Sequence, residues 1–153
     1  MAVDNARSAP GSADRTLAKI RRLVLALVAL GLAGTAVELT LMAHTEDTLQ
    51  LVPFAALAAS FVAVSWWLLS PRGAAVTAVQ LTMGVMIVTG LVGVAMHYQA
   101  NMEFQLEMDK SLAGWDLIMK VLEAKAPPAL APGNMALLGL IGLAAVYRDR
   151  VGG

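Results

Sequence analysis

Apolar residues fall in long blocks along this chain rather than at the spacing of a half-buried soluble helix, and the polar residues gather between the blocks. The first block follows Lys19, Arg21 and Arg22 and continues to about Ala43. The second opens near Pro53, a residue suited to a first helical turn, and closes in SWWLLSPRG, where Trp66 and Trp67 fit an interfacial aromatic belt. The third covers about Ala74 to Tyr98, and the fourth about Pro132 to Tyr147. Crossing about 30 Å of hydrocarbon takes roughly 20 apolar residues rising 1.5 Å each. The pattern therefore predicts an all-α integral membrane protein, a four-helix transmembrane bundle with spans over about 18–43, 53–69, 74–98 and 132–147. The fourth span, roughly 16 residues or about 24 Å, must stand with little tilt or draw on the preceding PPALAPG.

The flanking segments complete the organisation. Residues 1–16 are polar and contain Pro, Gly and Ser, and read as a flexible tail; 149–153 form a short second tail. Gly34–Ala36 faintly resembles a signal-peptidase site, but apolar residues resume after Glu38 and make the run too long for an ordinary signal sequence, so span 1 is expected to stay uncleaved. Between spans 3 and 4, SLAGWDLIMKVLEAK places Leu112, Trp115, Ile118, Met119 and Leu122 in one stripe beside Asp116, Lys120 and Glu123. That spacing predicts an extra amphipathic helix over about 111–124, lying in the membrane interface with Trp115 as anchor or packing on the loop after span 1.

Charge sets the expected direction. Of the eleven basic residues, Arg7, Arg15, Lys19, Arg21, Arg22, Arg72, Arg148 and Arg150 share one side, against Lys110, Lys120 and Lys125 on the other. The positive-inside rule then places both termini in the cytoplasm of a bacterial-type plasma (inner) membrane and leaves an acidic outer face. A formal net charge of zero suggests no nucleic-acid partner, and the absence of cysteine removes disulfides, thiolate ligands and a cysteine nucleophile. The partners expected are the lipid bilayer and a second copy or a larger membrane complex. Gly31, Gly34, Gly84, Gly90, Gly93, Gly139 and Gly142 allow close helix approach, serving internal packing first and self-association second.

Candidate chemistry concentrates in HYQANMEFQLEMDK, where the third span emerges. His44 and His97, the only histidines, each lie 22 residues, or about 33 Å, beyond the inner end of their helices and so reach the same outer level. Glu38 lies about 24 Å above Arg22, inside the outer third of the hydrocarbon, where a carboxyl must face the bundle, be protonated or find a partner. Glu46, Asp47 and Gln50 follow His44. His97 and Asn101 form an i, i+4 pair, as do Glu103 and Glu107, the latter about 80° round from His97. If span 3 stays helical to Lys110, it lifts that glutamate pair above the lipid.

Imidazole with carboxylate suits a divalent metal ion such as Zn, Fe or Mn, held by His44, His97, Glu38, Glu46, Asp47, Glu103 or Glu107. The spacing matches neither H-E-x-x-H nor a paired E-x-x-H, so a solvated acidic crown that docks a partner is the competing expectation. Copper and haem fit less well. The sole M-x-x-M, Met83/Met86, is remote from both histidines and reads as core, and haem propionates favour basic partners on what is here an acidic face. No ionisable group continues below Glu38 to complete a proton path, and no nucleophile elbow or phosphate-cradling loop is present. Two functions remain open: a membrane protein whose outer His/carboxylate cluster binds a metal or small polar ligand, and a non-catalytic accessory or structural subunit.

Overall fold

The computed structural model describes residues 11–43, 48–124 and 130–147. Every element among them is helical: α1 (Ser12–Leu41), a 3-10 turn (Thr48–Gln50), α2 (Leu51–Leu69), α3 (Gly73–Met108), α4 (Gly114–Leu122) and α5 (Ala131–Ala145).

Local chemistry fixes the ends. Helix α1 starts well before the apolar block because the Gly11 N–H donates to the Asp14 carboxylate at 3.2 Å, and Asp14 itself sits in the first turn. It closes with the Ala43 N–H donating to the Thr40 carbonyl, Ala43 adopting a left-handed φ of 51°. Pro53 lies in the first turn of α2, as the sequence suggests. That helix ends where the Ser70 N–H donates to Trp66 O at 2.8 Å and Pro71 cannot continue the ladder. Helix α3 then runs 36 residues without a break, about 54 Å, which exceeds the hydrocarbon thickness by about 24 Å.

Helices α1, α2, α3 and α5 pack in a closed ring: α1 touches α2 and α5, α3 touches the same two, and α1 and α3 face each other diagonally. The α3–α5 seam is the most extensive. A β-carbon added to Gly90 would fall 2.5 Å from the Pro132 carbonyl and 2.7 Å from the Ala136 amide, and one added to Gly139 would fall 2.8 Å from the Met83 carbonyl. Glycine at these positions lets the two backbones touch.

Polar ties between helices help set their registers. Arg21 donates to the Tyr147 carbonyl and Arg22 to the Leu68 carbonyl, each at 2.7 Å, so guanidinium groups from α1 satisfy the open carbonyl ends of α5 and α2. Higher up, the Asn134 amide donates to Thr35 Oγ1 at 2.7 Å, and Thr35 in turn donates to the Gly31 carbonyl at 3.0 Å. A further tie, Ser60 Oγ donating to the Thr82 carbonyl at 3.4 Å, joins α2 to α3. From Arg21 to Thr35 is 14 residues on α1 and from Asn134 to Tyr147 is 13 on α5, so the two antiparallel helices keep pace along about 20 Å.

The distribution of apolar residues is that of a protein solvated by lipid. Met83, Met86, Met135, Leu25, Leu32 and Val64 are buried, while Leu23, Leu27, Leu30, Val62, Leu81, Val88, Leu91 and Leu140 are exposed on every side of the ring. Helices α1, α2 with its preceding 3-10 turn, and α3 are each long and apolar enough to cross a membrane; α5, at 15 residues, is apolar but shorter. The chain is thus a multi-pass, all-α membrane protein. Of the expected aromatic belt, Trp66 faces outward at 46% exposure, but Trp67, at 4%, packs inside the bundle.

Candidate functional site

The continuous helix of α3 carries its last three turns beyond the apolar segment, and α4 folds back against it. Two arcs divide this extension. His97, Tyr98, Asn101, Met102, Gln105 and Leu106 are half-buried, whereas Gln99, Glu103, Phe104, Glu107 and Met108 are exposed. At 100° per residue the first set spans about half the circumference, and the second set, apart from Met108 at the end of the helix, falls in the remainder. His97 and Asn101 therefore share one face, as their spacing implies, and the glutamates turn away from it. Glu103 accepts a hydrogen bond from Gln99 Nε2 at 2.9 Å on that outer arc.

Helix α4 buries Val121 and half-buries Leu117, Ile118 and Met119, leaving Trp115 at 70% exposure with Asp116, Lys120 and Leu122. The stripe legible in the sequence is rotated in consequence: Ile118 and Met119 turn inward with Val121, while Trp115 and Leu122 remain outside. The turn between α3 and α4 is held by Asp109, whose carboxylate accepts the Ser111 hydroxyl at 2.6 Å and the Ser111 N–H at 2.9 Å. The hydroxyl first, and the backbone N–H second, hold the Asp109 carboxyl below its ordinary range. Gly114, at φ 57°, then turns the chain into α4.

The result is a two-helix platform at the acidic end of the molecule. Phe104, Met108, Trp115 and Leu122 stand exposed among Glu103, Glu107, Asp109, Asp116 and Glu123. Aromatic residues and methionine are types enriched at protein interfaces.

Of the proposed metal donors, Glu38 is exposed on α1, and His97, Glu103 and Glu107 belong to α3 on the opposite corner of the ring. Among the described residues no three His, Asp or Glu side chains converge. His44, Glu46 and Asp47 lie outside the described residues, and Gln50 is half-buried in the 3-10 turn before α2. The part-buried Thr35–Asn134 pair is a polar feature that sequence reasoning missed. Its signal was present, since Asn134 is the lone amide side chain of the fourth apolar block. Family models, curated proteins and solved structures yield no match to the chain.

Proposed function

We propose that this protein is a non-catalytic accessory subunit of the membrane, crossing the bilayer four times with both termini cytoplasmic, and that its acidic outer platform docks a partner protein. The observation that carries the reading is the unbroken passage of α3 out of its apolar segment with α4 packed against it. A span that served only as an anchor would end at the interface. Here about 16 Å of additional helix carries the exposed Phe104 and Met108 past the apolar segment, which supports a role beyond anchoring. Position α5 as the fourth crossing and the chain returns to the basic side, where Arg21 meets its end at Tyr147.

The half-buried His97–Asn101 face favours a second, lesser reading, in which His97 joins His44 and nearby carboxylates around a divalent metal ion (Zn, Fe or Mn) or a small polar ligand. One affinity-purified preparation from native membranes separates the two. For docking, the wild type retains a companion protein that Trp115→Ala with Glu107→Lys loses, with no stoichiometric metal on elemental analysis. Metal in the wild type that disappears in His97→Ala establishes the second reading. Recovery of the same companions by wild type and platform variant defeats the first.

A further inference from the structure

Helix α1 presents Leu23, Leu27, Leu30, Gly34, Glu38 and Leu41 on one face, and all of them are exposed. Their spacing of four, three, four, four and three residues keeps them on a single stripe of the helix. Gly34 lies at its centre. A β-carbon there would meet nothing within 4 Å, whereas one at Gly31, three residues earlier, would meet Leu138 at 2.7 Å. Gly31 is thus spent on packing inside the ring, and Gly34 leaves a stretch of bare backbone facing outward. One turn above it on the same row stands Glu38, whose side chain has no partner among the described residues. Lipid chains satisfy the leucines but offer nothing to a carboxyl group about 24 Å above Arg22.

We propose that this face is where a second copy of the chain binds, with α1 packed against α1 in parallel, the helices closest at Gly34 and the two Glu38 side chains hydrogen-bonded across the two-fold axis. Self-association fits the chemistry more directly than a different partner does. A carboxylic acid carries a donor and an acceptor on one group and so complements its own copy. A two-fold axis sets each residue of an interface against its own counterpart. All copies enter the bilayer in one orientation, so the two Glu38 groups arrive at the same depth without further adjustment. A foreign helix would have to supply a matching donor and acceptor at that level. Bare backbone at Gly34 brings the helices near enough for the side chains one turn higher to meet.

The chain has no cysteine, which makes the test clean. Single variants Leu27→Cys, Leu30→Cys and Leu41→Cys on α1, with Val85→Cys and Val88→Cys on the exposed face of α3 as controls, are reconstituted at high lipid-to-protein ratio in phosphatidylcholine–phosphatidylglycerol vesicles and oxidised. Disulfide-linked dimer is expected from the α1 positions and not from α3. In the Leu30→Cys background, Glu38→Leu is expected to lower the dimer yield by about threefold, the order of one interhelical hydrogen bond. Glu38→Gln, whose amide also donates and accepts, is expected to retain it. Position 38 is exposed, so both variants leave the ring packing intact, which far-UV circular dichroism checks. No dimer at α1, equal yields from α1 and α3, or full dimerisation of Glu38→Leu would each overturn the proposal.

Discussion

At Gly90 one missing methyl group decides whether two helices can touch. The Pro132 carbonyl and Ala136 amide occupy the volume a β-carbon would need, and both are backbone atoms with no rotamer to yield. Gly84, six residues earlier on the same helix, has open space around it. Gly90→Ala is therefore expected to destabilise the folded bundle by about 1–3 kcal/mol through overpacking. Gly84→Ala is expected to be neutral or to stabilise by up to about 1 kcal/mol through helix propensity. Unfolding of both variants in mixed detergent micelles measures the difference, and equal midpoints would remove the α3–α5 contact from the account. The chain carries eight glycines in its apolar blocks, and nothing local distinguishes those that face a neighbour from those that face lipid.

That ambiguity has a cause at the scale of the helix. In water, a core face and a solvent face differ in polarity, and the period of apolar residues tells them apart. In a bilayer both sides of a helix are apolar, so the blocks reveal where helices run and not how they are rotated. The beginnings and ends of the helices were accordingly legible to within a few residues, except at Ser12, where Asp14 extends α1, and at Met108, where α3 outlasts its apolar segment. Rotation was not legible. Adjacent Trp66 and Trp67 point to opposite environments, and Glu38 lies on the outward side of α1. The half of the candidate cluster carried by α3 was readable from its i, i+4 spacing, but its relation to α1 depends on the diagonal placement of those helices. The Thr35–Asn134 bond is the clearest determinant of α1–α5 register. A double-mutant cycle with Thr35→Val and Asn134→Leu should give a coupling of about 0.6 kcal/mol, and no more than about 1.7 kcal/mol, as for other hydrogen bonds between membrane helices. Zero coupling would assign the register to packing alone.

For the molecule as a whole, the decisive quantity is the number of crossings. Helix order and antiparallel packing put Ser12, Ser70 and Tyr147 at one end and Lys110 at the other. In intact cells, a membrane-impermeant maleimide is expected to label Lys110→Cys, and to reach Ser12→Cys and Tyr147→Cys only after permeabilisation. Labelling of Tyr147→Cys from outside would show that α5 does not cross, and the reverse pattern throughout would invert the orientation. The two ends also differ mechanically. Arg21 and Arg22 are consecutive residues of one helix, and between them they grip the terminal carbonyls of two neighbours. Charge-assisted bonds of this kind rank among the stronger ones a protein makes. The basic rim is therefore clamped like the base of a fan. Two adjacent residues of α1 thereby tie α2 and α5 together at that rim through main-chain acceptors, which no substitution of those acceptor residues' side chains would remove.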